Sequence, residues 1–330
     1  MKQRRSTLRK ITLALALSMP ALPGVQAQED AARFPSKPVR WIIPFPAGGA
    51  TDVVARLVAQ KLSGEWGHTV TVENKAGATG AIGSQFVAAA PPDGYTLLMG
   101  TASTHAVAPA VNPKLPYKNI GDFTPVTLVA TFPNMLVVNP SVPAHSVQEL
   151  IALLKANPNK YNFASTGTGG SVHMAGELFK LLTGTEITHV PYKGSSDALA
   201  DLLAGRVQME FDNMTTVWPH AQKGNLRALA VTSVKRTPLA PDVPAIAETV
   251  PGFDASSWVG IFAPAHTSPA IADKISATVA QVMRQPDIIR KLNELGATPA
   301  TDSPAEFTKF VRDDSARWKE VATRAGIRLD

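Results

Sequence analysis

The chain has no cysteine in its 330 residues. That single absence excludes disulfides, thiolate nucleophiles, and zinc or iron–sulfur centres held by cysteine. Aromatic residues are few, at 6% of the chain, and they do not interleave with lysine or arginine. No basic stripe is present either, so nucleic acid and anionic membrane surfaces are not indicated as partners. The formal charge of +6 does not contradict this. Of the 32 Lys and Arg, five stand in the first ten residues; without them the balance is 27 cations against 26 Asp and Glu, about +1. Long apolar runs are also missing. The longest extends from Ile11 to about Val25 and is interrupted by Pro20 and Pro23, short of the ~20 residues that a membrane helix needs. A basic start followed by such a run reads as a signal peptide over 1–27, with Val25-Gln26-Ala27 ahead of a cut near Ala27/Gln28. The mature chain is then expected to be exported and free in an oxidising compartment, long enough for two buried cores.

What is present is an alternation of short apolar strands with amphipathic stretches. Val39 to Phe45 reads as a strand, Val53 to Leu62 as a helix, Thr69 to Glu73 as a strand, Ala81 to Ala90 as a helix and Tyr95 to Gly100 as a third strand. Strands alternating with helices predict an α/β fold with parallel sheets. A second lobe is expected to open near Leu128. Its strands are Leu136 to Val138, Tyr161 to Ser165, Thr188 to Val190, Val207 to Phe211 and Leu226 to Val231; its helices follow Ser146, Ser171 and Ser196. Trp258 to Phe262 restores a strand to the first lobe, so the chain crosses twice. The expected organisation is 28–128 with 258–330 as lobe 1 and 129–257 as lobe 2. Two helices close the chain, Pro269 to Met283 and one opened by the capping box Ser303-Pro304-Ala305-Glu306.

The strongest local signal is a device that occurs in both lobes, a strand running into a glycine loop that enters a helix. In the first lobe it is Phe45-Pro46-Ala47-Gly48-Gly49-Ala50-Thr51-Asp52; in the second it is Ser165-Thr166-Gly167-Thr168-Gly169-Gly170-Ser171. Glycines let backbone approach a ligand, and a helix start offers unpaired N–H groups with a partial positive charge. A matched pair facing each other suits an anion, whereas either loop alone reads equally well as a tight turn with a capped helix. Neither loop ends in the Lys-Ser or Lys-Thr of a P-loop, so carboxylate fits better than phosphate. Thr101, Ser103, Thr104 and His105 follow a strand and can donate hydrogen bonds, or they form an ordinary polar loop. Tyr192 offers an aromatic wall, Lys193 a cation, and Asp212 an acid that would repel a carboxylate unless the ligand is polar at that end. His173 and Glu177 stand at i and i+4, but with no third ligand no metal is expected. Gly-x-Ser-x-Gly and His-Glu-x-x-His are both absent, so no catalytic residue and no cofactor are expected.

Segments spread over nearly the whole chain closely resemble the Bug family of periplasmic solute receptors, the extracytoplasmic subunits of tripartite tricarboxylate transporters. They are Ile43 to Asp52, Glu73 to Gly80, Pro92 to Thr101, Asp122 to Val126, Val190 to Gly194, Leu229 to Ser233, and Asp242-Val243-Pro244 with Ala247-Glu248. The resemblance implies a Venus-flytrap receptor, type II-like, with a small mono-, di- or tricarboxylate or aromatic carboxylate closed between two α/β lobes. It implies a ligand held largely on main-chain amides and ordered waters at Ala47, Gly48, Gly49, Ala50 and Thr51 of one lobe, with Phe45 beside them in the expected set. On the other lobe it points to Ser165, Thr166, Gly167, Gly169, Gly170, Ser171 and His173, with Asp212 as a selector. Thr101, Ser103 and Tyr192 complete the expected ligand-binding set. Ala50 departs from a frequent third glycine and Met174 from a usual leucine. The implied partners are the transporter's membrane subunits or a sensor kinase, with the receptor itself a monomer. An enzyme using His173 with Ser171 or Asp212 is the alternative from another class.

Overall fold

The computed structural model describes residues 31–328, so the signal peptide and its cut near Ala27/Gln28 lie outside the described residues. The chain begins β1 (Val39–Ile43), α1 (Ala50–Trp66), β2 (Val70–Asn74), α2 (Ala81–Ala88) and β3 (Thr96–Thr101). A π-helical turn over Ser103–Val107 leads into the short α3 (Ala108–Val111), then β4 (Phe123–Phe132), β5 (Asn134–Val138), α4 (Val147–Ala156) and β6 (Asn162–Ser165). Next come α5 (Ser171–Thr183), β7 (Thr188–Pro191), α6 (Ser195–Leu203), β8 (Met209–Asn213), α7 (Met214–Gln222) and β9 (Arg227–Val231). The chain ends with β10 (Ser257–Pro264), α8 (Pro269–Met283), α9 (Pro286–Glu294), β11 (Thr298–Pro299) and α10 (Pro304–Ala325).

These elements form two α/β lobes, with sheets ordered β11-β4-β10-β3-β1-β2 and β7-β6-β8-β5-β9. Apart from the added edge strand β11, the two orders share one logic. In each sheet the strand that has just crossed from the other lobe, β10 or β5, inserts beside the third strand of its new lobe. Inserted strands run against their neighbours: β10 is antiparallel to β3 and β4, and β5 to β8 and β9. The expectation of parallel sheets is therefore corrected to mixed ones. Parallel pairing survives only inside the strand–helix–strand units, β1 with β2 and β3, and β6 with β7 and β8. A strand arriving from the opposite lobe is not delivered by a crossover helix, so nothing forces it parallel.

β1 shows why the sequence folds this way locally. It lies between β2 and β3 with helices on both faces, so Val39, Trp41, Ile42 and Ile43 are all fully buried. α1 turns Val54, Ala55, Val58 and Leu62 inward and stops at Gly67 in the left-handed conformation. Five elements escaped the sequence reading, among them the short α3 and β11. β4 contains Pro125, tolerated where the pairing with β10 shifts register; α7 holds Thr215, Thr216 and an internal Pro219; α9 is short. β4 remains in the first sheet to Phe132, beyond Leu128, and β5 opens the second sheet at Asn134. The outgoing and returning crossings lie side by side. Asn134 donates to the Ala255 carbonyl at 3.3 Å, and Thr232 donates to the carbonyls of both Asn134 and Ala255. α10 grips the return crossing through Trp258 Nε1 on Asp314 (2.8 Å) and Arg317 on the Asp254 carbonyl (2.7 Å).

Candidate functional site

Few of the described helices have a side-chain cap, and α2, α7, α8 and α9 have none. α4 and α10, remote from the interlobe cleft, are capped by the side chains of Ser146 and Ser303. α1, α5 and α6 start from Gly49, Gly170 and Gly194, N-cap residues that have no side chain of their own to cap them. All three open on one cavity of about 190 Å³ between the lobes. Apart from the Ser171 amide, which Ser103 Oγ takes, their first-turn N–H groups and partial positive charges are left to whatever fills it.

On the first-lobe wall the cavity is lined by Phe45, Pro46, Ala47, Gly49, Ala50 and Thr51, with Thr101 and Ser103 from the end of β3. On the second-lobe wall it is lined by Thr166, Ser171 and Val172, then Lys193 to Asp197, and Asn213. Phe132, Ser257 and Val259 floor it where the crossings pass. Lys193 is the one cation among these lining residues and Asp197 the one carboxylate. The segment Gly194-Ser195-Ser196-Asp197 was missed by the sequence reading, although it repeats the device of a strand leading through glycine into a helix. Pro46, Phe132, Val172, Asn213, Ser257 and Val259 carry no comparable local signal.

Several expected site residues stand behind the wall and shape it. Asp52 is buried and accepts the Gly48 amide at 2.9 Å while also holding Arg56 and Asn74. Burial pulls its pKa up, but Arg56 and the Gly48 and Asn74 hydrogen bonds outweigh that and hold it below the usual aspartate range. Asn74 also donates to the Phe45 carbonyl at 3.0 Å. Both ends of the first glycine loop are thus braced from one acid and one amide. In the second lobe Gly169 donates its amide to His173 Nδ1 at 3.1 Å, and Ser165 Oγ meets both the amide and the carbonyl of Gly167 at 3.2 Å. Gly170 is the N-cap of α5. The Tyr192 hydroxyl donates to Asp201 at 2.8 Å. Asp212 is fully buried, accepts the Asn213 amide at 2.7 Å, and is pushed up to about 6 by burial.

The two lobes touch at the rim of the cavity. Ser103 Oγ accepts the Ser171 amide at 2.9 Å and lies 3.0 Å from Ser171 Oγ, so a first-lobe hydroxyl caps a second-lobe helix. Thr79 Oγ1 donates to the Thr168 carbonyl at 3.2 Å. Gly167 adopts φ +134°, and a Cβ there would stand 2.8 Å from Thr79 Oγ1. Only glycine combines that backbone with so close an approach. His105 packs away from this rim: fully buried, stacked on Phe262 at 3.9 Å, its pKa lowered to about 3 by burial. The nitrogens of His173 face Gly169 and Glu177, not Ser171 or Asp212. Among the described residues no group of three or more His, Cys, Asp or Glu can hold a metal ion.

This architecture has close counterparts among known proteins. A family model described as the tripartite tricarboxylate transporter family receptor matches residues 54–327. The chain belongs to that receptor family. BugT of Bordetella pertussis is 39% identical over 311 residues, covering 94% of this chain and 95% of BugT. A structure of R. palustris Rpa4515 with adipate is 40% identical at a TM-score of 0.86, covering 89% of this chain and 99% of that one. MatC (Rpa3494) from Rhodopseudomonas palustris, with bound malate, is 33% identical at a TM-score of 0.82, covering 87% and 99%. The tripartite-family receptor described here therefore has the two-lobed, type II-like fold that its sequence predicts. The starts of its helices α1, α5 and α6 open on the interlobe cavity.

Proposed function

We propose that this receptor works in the periplasm, closing its two lobes over a small carboxylate and delivering it to the membrane subunits of a tripartite transporter. The observation that carries the reading is the convergence of three helix starts with glycine N-caps, from both lobes, on one cavity with a single lysine. Each start supplies roughly half a positive charge and N–H donors, of which only the Ser171 amide is already held, by Ser103. Two of them lie on one wall beside Lys193, which suits an anion with a carboxylate at each end. Adipate and malate, bound by the relatives Rpa4515 and MatC, are such anions. On this reading the ligand contacts on the first lobe are Phe45, Ala47, Gly49, Ala50, Thr51, Thr101 and Ser103, and those on the second are Thr166, Ser171, Lys193 and the α6 start at Ser195. Gly48, Ser165, Gly167, Gly169, Gly170, His173, Tyr192 and Asp212 shape the walls from behind. The mature chain starts at Gln28, its lobes are 31–132 with 257–328 and 134–256, and it binds as a monomer without turnover.

A thermal-shift panel of adipate, malate, succinate, citrate, benzoate and glutamate tests the ligand class. A true ligand at about 100 times its Kd adds about 2.7 kcal/mol of stability. Absence of a shift with every carboxylate rejects the class. Chromatography of the same mixtures tests the binding-only reading, which fails if any carboxylate is consumed.

A further inference from the structure

The second-lobe glycine loop rests on two stacked imidazoles, one of which the sequence reading did not single out. His173, on α5, takes the Gly169 amide on Nδ1. The ring proton then belongs on Nε2, which faces the Glu177 carboxylate at 3.6 Å; Glu177 is itself held by Lys180 at 2.9 Å. His189, on β7, brings Nε2 to 2.5 Å from Ser165 Oγ, the hydroxyl that meets both backbone groups of Gly167. The two rings stack with centroids 3.9 Å apart and planes at 28°. The Phe163 ring lies 4.9 Å from His189 on β6. Gly176 of α5 makes room for this stack, since a Cβ there would stand 2.3 Å from the Phe163 ring. Burial, with the neighbouring His173, lowers His189 to about 3, so it stays neutral across the physiological range.

We propose that His173 and His189 act as one positioning unit that fixes the backbone of residues 165–170, presenting that loop to the ligand in a single conformation. The inference deepens the receptor reading above and rests on it for its link to ligand. Gly167 and Gly169 sit at φ +134° and +76°, and glycine loses more conformational freedom on ordering than any other residue. Without acceptors and donors beneath them these peptides would sample many orientations, and each binding event would have to order them. Stacking links the two contacts, so that the ends of the loop are held as one object.

The test separates hydrogen bonding from packing. His173→Phe keeps the stack and removes the acceptor, whereas His173→Asn keeps an acceptor near Nδ1 and loses the stack. Amide hydrogen exchange of peptides over 165–171 is measured without ligand, with β1 and β3 peptides as internal controls. His173→Phe is expected to speed exchange of the loop about tenfold, the scale of one lost hydrogen bond, and to weaken adipate binding about as much. His173→Asn is expected to stay near wild type in both. The reverse order, or unchanged exchange in His173→Phe, overturns the proposal. His189→Phe and His189→Gln repeat the comparison at Gly167 should either His173 variant fail to fold. If wild type does not bind adipate, the dicarboxylate reading loses support, while the exchange arm still decides the positioning role.

Discussion

Glu210 and Asp212 alternate along β8 with Met209 and Phe211, which belong to the core shared by the two lobes. Both acids therefore face the opposite side of the sheet, among Met135, Val137, Ala198 and Met214. Neither Glu210 oxygen has a hydrogen-bond partner among the described residues. Burial, and then the charge of Asp212, pushes its pKa well above the usual glutamate range, while Asp212 is pushed up to about 6. A folded-state pKa above the unfolded one means that the native state binds more protons between the two values. Stability is then greatest below the unfolded value of about 3.9 for aspartate and falls as pH rises through 6, by about 3 kcal/mol for Asp212. Glu210 extends the loss to higher pH. Glu210→Gln is isosteric and removes that part. Urea midpoints of wild type and variant should coincide near pH 4, and the variant should be the more stable at pH 8. A gap of the same size at both pH values would falsify the assignment. Asp212 was legible from sequence as an acid at a strand end. Glu210 was not, because an acid inside an apolar run reads as an outward-facing residue until the partner strands and helices are known.

Helix starts were half legible. The two glycine loops announced themselves by composition, and the third, at Gly194, follows the same rule. What sequence could not show is which groups cap the loops. Ser103 read as a residue facing ligand; in the fold its hydroxyl reaches a second-lobe amide from the far lobe. Ser103→Ala removes that cap only where the lobes meet. Adipate affinity measured by calorimetry should fall about fivefold to tenfold, near 1 kcal/mol, with unfolding of the free protein changed little. Equal affinity in the two proteins shows that the cap contributes nothing to closure. Asp52→Ala acts on the other wall, releasing the Gly48 amide and leaving Asn74 without its carboxylate. It should weaken adipate about tenfold and lower stability by about 2 kcal/mol, both read from one thermal-shift titration. α7 was invisible because its burial, at Met214 and Val217, comes from tertiary contact and overrides a weak local pattern, whereas α9 was legible and missed: Pro286 opens it, and Ile288 and Leu292 share one face at i and i+4.

At the scale of the whole molecule the charge is nearly balanced once the basic start is set aside, so long-range attraction of an anion is weak. Binding then depends on fixed dipoles at short range inside the cavity, where salt screens little. Raising salt from about 50 to 500 mM should change adipate Kd less than about threefold. Lys193→Ala should remove most of the residual salt dependence. A steep salt dependence that survives in the variant would place the attraction elsewhere on the surface. The lobes are joined by two crossings stitched at Asn134, Thr232 and Ala255 and gripped by α10.

The amino-acid order by itself determined the α/β class, the two crossings, the family and the strand–glycine loop–helix device in each lobe. All of these depend on local periodicity, glycine placement and capping residues, which act within a few positions of chain. Only the tertiary structure decided that the sheets are mixed, that Ser103 caps a helix of the opposite lobe, that His189 and His173 stack beneath the glycine loop, and that Glu210 is buried. Those features join residues far apart in the chain, and their energies arise from burial and from contacts across the interlobe space, which no local pattern encodes.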